Sequence, residues 1–262
     1  MLFKFLLLTL SGIFLLQEAH SITIPQETAK KIGLKIWYNE CAGTLSGLST
    51  WNDGEEFASM GIGHFIWYPK GKAGLYKEQF PSLLKFLEDN QVTLPKWLNT
   101  NKECPWKNRE DFLQDTEREK LVELRTLLVS TVDLQVVFMT QRLEQALPKM
   151  LKSVSEEKKT HIKRQFYRVS ENPNGLYALL DYINFKGEGA SEKERYNNQG
   201  WGLLQVLEQM PIHSKSSAIE DFINSAKTVL ARRVANSPQE RGEKRWLKGW
   251  FNRLNSYKNK NS

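Results

Sequence analysis

The chain has 262 residues, is 40% hydrophobic and 11% aromatic, and carries a formal charge of +7. That composition excludes a disordered or fibrous chain and allows one domain with a substantial core. The positive balance favours anionic partners such as an acidic polymer, nucleic acid or a membrane surface, although surplus surface lysine alone would produce the same balance.

The N-terminus comes first. Lys4 precedes the apolar run Phe5 to Leu16, which is too short to span a bilayer comfortably, and Ala19 and Ser21 have the spacing of a cleavage site. Residues 1–21 therefore read as a removable signal peptide, with a retained N-terminal anchor as the alternative, and 22–262 as one domain. Export, to the periplasm or outside the cell, makes a disulfide permissible. Cys41 and Cys104 do not reveal by sequence whether they meet.

Ile32, Ile36 and Trp37 predict a helix over 28–37 leading to Asn39-Glu40-Cys41. Residues 43–68 carry glycine at 43, 47, 54, 61 and 63 between short apolar pieces, which predicts a small antiparallel hairpin region. A loop follows at 69–73. Helices are then predicted over 81–89, 108–129, 131–150 with Thr131 as N-cap, 155–169, 174–185, 193–209 and 216–234. A last helix opens at Asn236-Ser237-Pro238. Short strands followed by many helices give an α+β domain that is mostly α.

Chemistry concentrates in Trp37-Tyr-Asn-Glu40-Cys-Ala-Gly-Thr and the hairpin Trp51-Asn-Asp53-Gly-Glu55-Glu56-Phe-Ala-Ser59-Met-Gly61-Ile-Gly63-His64. A carboxyl at the end of an apolar helix is expected to be partly desolvated, which disfavours its charged form and suits a general acid. A hairpin folded over that helix end would set Asp53, Glu55 or Glu56 across a groove from Glu40. Inverting glycosidases use such a pair about 6.5–9.5 Å apart with a water between. Most acidic residues, however, are only solvated surface charge.

The order Glu40, Asp53, Ser59 and Gly61-Ile62-Gly63-His64 resembles the phage-type lysozymes, the endolysin family. Five residues separate Asp53 from Ser59, the spacing that family has between its Asp and Thr, and Ser59 keeps the hydroxyl. Two further islands resemble the family in the same order. One is Leu179 to Gly189, containing Asn184, and the other is Asn236-Ser237-Pro238-Gln239-Glu240-Arg241-Gly242-Glu243. The gap between Glu40 and Asp53 is a few residues longer than the family's, and roughly 70–170 stands as an extra helical insertion.

The resemblance implies a lysozyme-like fold and hydrolysis of peptidoglycan, a β-1,4-linked amino-sugar polymer, without a cofactor. Glu40 would protonate the leaving oxygen. Asp53 or Glu55, ranked nearly equal with Glu56 third, would activate water, and Ser59 would hydrogen-bond that water. His64 serves as a structural hydrogen bonder at the base of the site, or else tunes an acid. Trp51, Trp67, Tyr68 and Trp201 could stack on sugar rings, although core packing is the commoner fate of tryptophan. Tyr196-Asn-Asn-Gln-Gly-Trp201 has the mixed character of a groove wall, and Asn184 and Arg241 belong to the resembling islands. The C-terminal run Arg232-Arg233, Arg241, Lys244-Arg245, Lys248 and Arg253, interleaved with Trp246, Trp250 and Phe251, reads as an ordinary surface helix whose aromatics pack inward, or as an amphipathic basic helix that binds an anionic polymer or a membrane.

The four histidines are dispersed and no Cys/His spacing matches zinc. A Cys41–His64 nucleophile pair is a weaker possibility. A lytic transglycosylase using Glu40 alone, and an inactive wall-binding protein on the same scaffold, are the alternatives. The partner expected is peptidoglycan, bound by a monomer, with no nucleic acid and no membrane span once the leader is removed.

Overall fold

The computed structural model describes residues 21–99, 102–115, 119–192 and 194–258. All but the last residue of the expected leader lies outside the described residues. Helix α1 (Gln26–Cys41) buries Ala29, Ile32, Gly33 and Ile36, the stripe of an amphipathic helix. It runs further than its apolar spacing predicts, so Glu40 stands on its final turn. Ala42 ends it in the left-handed conformation, φ 52°, with its N–H donating to the Trp37 carbonyl.

A 3-10 turn at Ser46–Leu48 folds back onto this helix end. Gly47 is needed there, because a Cβ would stand 2.3 Å from the Cys41 carbonyl oxygen. Strands β1 (Ser49–Thr50), β2 (Ala58–Met60) and β3 (Phe65–Trp67) follow. They form an antiparallel sheet in the order β1-β2-β3, with Ser59 opposite both Thr50 and Ile66. The glycine-punctuated stretch is thus a three-stranded meander.

Helices α2 (Phe80–Asp89), α3 (Lys96–Asn99), α4 (Arg109–Gln114) and α5 (Glu119–Ser130) come next. The single helix predicted over 108–129 is therefore two. Asn108 starts the first of them, its side chain accepting from the Asp111 N–H. Helix α6 (Val132–Lys152) packs along α1. Its Gln135 is fully buried, accepts from the Ile62 N–H at 3.0 Å and donates to the Leu128 carbonyl at 2.7 Å. One side chain so ties the β2–β3 turn to α5. The stretch expected as an insertion therefore supplies the helix on which α1 rests.

Helices α7 (Glu156–Ser170) and α8 (Pro173–Lys186) follow, the second capped by the Asn172 side chain on the Gly175 N–H. The helix predicted over 193–209 is a correction. It is a two-stranded hairpin, β4 (Arg195–Tyr196) and β5 (Gln199–Gly200), then a short helix α9 (Leu203–Gln209). Asn197 and Asn198 take φ 49° and 59° between the strands. Two successive positive-φ residues make the tight turn that matches strand twist, and asparagine tolerates it.

Helix α10 (Ala218–Asn236) opens on a capping box of Ser217 and Glu220. The last predicted helix instead begins as two 3-10 turns, Gln239–Arg241 and Glu243–Trp246, before α11 (Leu247–Asn255). One core runs from Ala29 to Tyr257 through all these helices and the sheet. The architecture is α+β and mostly α, with its small antiparallel sheet near the N-terminus. Among the described residues no helix is long and apolar enough to cross a membrane.

Candidate functional site

Glu40 opens onto a cavity of about 410 Å³. Its walls are Asn39 of α1, Tyr177, Asp181 and Phe185 of α8, and Trp250 and Arg253 of α11. Helix α8 is apolar almost throughout, so Asp181 is anomalous in it: it is 5% exposed. A buried carboxylate needs compensation by charge and hydrogen bonds. Arg253 supplies both, Nε to Oδ2 at 2.8 Å and Nη2 to Oδ1 at 2.7 Å, in the bidentate fork that suits a guanidinium. The buried Tyr257 hydroxyl donates to the same carboxylate.

Arg253 also donates to Glu40 through Nη2. One guanidinium thus bridges two carboxylates from helices far apart in sequence. Burial works against the Arg253 charge, but the Asp181 hydrogen bonds and charge, with Glu40 behind them, outweigh it and raise its pKa. In this geometry Glu40 meets a cation in a cavity that also has aromatic rings on its wall, and its side chain is 26% exposed. Asn39 donates to the Tyr177 hydroxyl at 2.9 Å, fixing the ring at the cavity edge.

The hairpin residues lie elsewhere. None of Asp53, Glu55, Glu56, Ser59 or His64 lines the Glu40 cavity. Asp53 and Glu56 are exposed. Glu55 is held within its own turn, accepting from Asn52 Nδ2 at 3.1 Å, while its carbonyl accepts from Trp51 Nε1 at 2.8 Å. Ser59 is buried in the middle strand, and His64 closes the Gly61–His64 turn with φ 47°. Trp51 is 5% exposed and packs its ring against Phe112, which leaves little face for a sugar. Asn184 is exposed on α8 and is not part of the cavity wall.

Tyr196, Trp201 and Arg241 do come together, around the fully buried carboxylate of Glu243. Arg233 grips that carboxylate through two bonds of 2.8 Å, the Tyr196 hydroxyl donates to it at 2.9 Å, and Arg241 lies 3.5 Å away. The Arg233 bond holds the Glu243 carboxyl below its ordinary value of 4.5, against the opposing effect of burial. Trp201 is mostly buried and stacks under the Arg233 guanidinium at 4.1 Å. Arg233 in turn lies 5.2 Å from the Trp250 ring, so this cluster adjoins the Glu40 cavity.

Lys186 joins the two. Its amine sits 3.6 Å from the Trp250 ring and 3.9 Å from the Phe185 ring. Burial, and then the Arg233 charge, push its pKa down to about 7. The two rings lean the other way, because a ring face attracts the charged amine.

Cys41 and Cys104 are free and buried. Burial pushes both thiols up to about 12, which withholds the thiolate a nucleophile needs and weighs against the Cys41–His64 pair. Among the described residues no cluster of three His, Cys, Asp or Glu side chains is placed to hold a metal ion.

The residues that sequence reasoning missed are Asp181, Tyr177 and Phe185, while Arg253 and Trp250 entered it only as part of a basic C-terminal helix and not beside Glu40. A signal existed for the first: an aspartate inside Leu179-Leu180-Asp181-Tyr182 must find a buried partner. Comparison with known protein families, curated proteins and solved structures gives no match to this chain.

Proposed function

We propose that the protein is an exported glycoside hydrolase that cleaves peptidoglycan, working as a monomer at the Glu40 cavity. The observation that carries this reading is the surround of Glu40: an open cavity with a carboxyl on a helix end, a fixed guanidinium beside it and the aromatic residues Tyr177, Phe185 and Trp250 on its wall. Flat apolar sugar faces suit aromatic rings, and a carboxyl beside them is placed to exchange a proton with a glycosidic oxygen. The lysozyme resemblance of the sequence around Glu40 supports the same substrate.

Glu40 protonates the leaving oxygen in this mechanism as the glycosidic bond breaks, and a water entering the open cavity attacks the sugar carbon and releases its proton to solvent. Asp181 keeps Arg253 in place meanwhile through two bonds. When the proton leaves, the guanidinium is already aimed at the carboxylate that forms. A charge partner that needs no reorganisation during reaction is the usual large contribution to catalysis.

A single-carboxylate route is the second reading, favoured by the hairpin acids lying outside the cavity wall. Glu40 would then act as acid and afterwards as base, as in a lytic transglycosylase. Mass spectrometry of digested cell wall separates the two. Reducing-end sugars support hydrolysis, and anhydro sugars support the transglycosylase. Tight wall binding with no released fragment would overturn both and leave an inactive wall-binding protein.

A further inference from the structure

A second cavity lies away from Glu40 and shares no wall residue with its site. It measures about 690 Å³ and is formed by the start of α7, the β4–β5 hairpin and the facing sides of α9 and α10. That volume falls within the range of small-ligand sites, about 300–1,000 Å³.

Two arginines line it, Arg195 of the hairpin and Arg232 of α10. The Nε of each is buried and has no hydrogen-bond partner. Buried donors are nearly always satisfied, and leaving a charged one unsatisfied is costly. Among the described residues neither arginine is paired with a carboxylate. The cavity wall does contain Glu208, but Lys158 is ion-paired to it. The site is left with two surplus guanidinium charges.

The wall that carries Arg195 is fixed. Asn197 donates to Asn236 Oδ1 at 3.3 Å, and Asn236 donates to Gln199 Oε1 at 3.4 Å, which ties the hairpin turn to the end of α10. Beneath it Gln205 donates to the Gly189 carbonyl and accepts from the Gly202 N–H, both at 3.0 Å. A Cβ on Gly200 would come 2.8 Å from Gln205 Oε1, so glycine is what lets the strand lie this close. The segment Tyr196-Asn-Asn-Gln-Gly-Trp201 thus has two faces. Tyr196 and Trp201 serve the Glu243 cluster, while Asn198 and Gln199 turn to this cavity.

We propose that this cavity binds a sugar-sized ligand bearing an oxyanion, carboxylate or phosphate, with Arg195 and Arg232 gripping the anion. Planar guanidinium donors match both oxyanions, and the amides of Asn198, Gln199 and Gln209 suit neighbouring hydroxyls.

Calorimetry on the full-length protein tests this with three probes of one frame: glucuronate, glucose 6-phosphate and glucose. Saturable binding of either charged probe, weakening with added salt and absent for glucose, supports the site. Which charged probe binds tells whether the ligand is a carboxylate or a phosphate ester. Arg195→Gln and Arg232→Gln should each weaken binding about tenfold or more, since each removes a charge-assisted bond. Should the Arg232 variant fail to fold, Arg195→Gln on the surface hairpin carries the test alone. Glu40→Gln should bind like the parent, which separates this site from the proposed catalytic one. Absence of binding for both charged probes, equal binding of glucose, or full affinity in a folded arginine variant would overturn the proposal.

Discussion

Replacing Asp181 with alanine removes the anchor of the Glu40 cavity. The Asp181 side chain is 4% exposed, takes two bonds from Arg253 and accepts from the Tyr257 hydroxyl. In its absence Arg253 keeps only Glu40, and a fully buried tyrosine hydroxyl loses its acceptor. Removing one partner of a buried ion pair costs about 3–5 kcal/mol. Arg253 is itself 30% exposed and keeps one carboxylate, so the lower end applies, about 3 kcal/mol. For a chain of this size each kcal/mol lowers the melting midpoint by about 2–4 °C, giving a drop of about 6–12 °C. Urea denaturation should show a lower midpoint with an unchanged slope. Asp181→Asn keeps an acceptor for Tyr257 and should lose less. A double-mutant cycle with Arg253→Met isolates the pair itself. A loss below about 1 kcal/mol for Asp181→Ala, or strictly additive single losses, would refute the account of this bridge.

Three other perturbations follow from the same geometry. Glu243 has its folded value lowered below 4.5, so its stabilisation is complete above 4.5 and is lost as pH falls through that lower folded value. The stability gap between parent and Glu243→Gln in urea should therefore be large at neutral pH and narrow in strong acid; a constant gap would contradict the assignment. Gly61→Ala forces φ 70° on a residue with a Cβ, 2.3 Å from Gln135 Oε1, the atom that accepts from Ile62. Backbone strain plus a disturbed buried hydrogen bond should cost about 2–4 kcal/mol in thermal melting, and near-parental stability would show that the turn is not constrained as described. Burial pushes both thiols up to about 12, so alkylating reagent at mildly alkaline pH should leave Cys41 and Cys104 unmodified in the native protein and label both in urea. Rapid native labelling detected by mass would contradict their burial.

Much of the fold is legible in local pattern. The glycines between 43 and 63 mark the turns of a sheet, and apolar spacing marks α1, α2, α6, α7, α8 and α10. Patterns fail where a turn hides inside helix-compatible composition. Asn197-Asn198 breaks the predicted helix over 193–209 through two positive φ angles, which neither charge nor hydropathy periodicity registers. The candidate site is less legible for a different reason. Glu40 stands out because it ends an apolar helix, but its partner Arg253 lies at the far end of the chain, in a segment that reads equally well as a solvated basic helix. Only three-dimensional packing of α1, α8 and α11 sets Arg253 between Glu40 and Asp181. The buried aspartate was the one local clue, because it demands a cation that sequence cannot assign.

Glu40→Gln assayed on cell-wall suspensions tests the central claim most directly. The substitution keeps the side chain's shape and an acceptor for Arg253, so circular dichroism and the melting midpoint should stay close to the parent's. The account predicts that the parent clears the suspension and that the folded variant does not. A folded variant that clears the wall at the parental rate would contradict it.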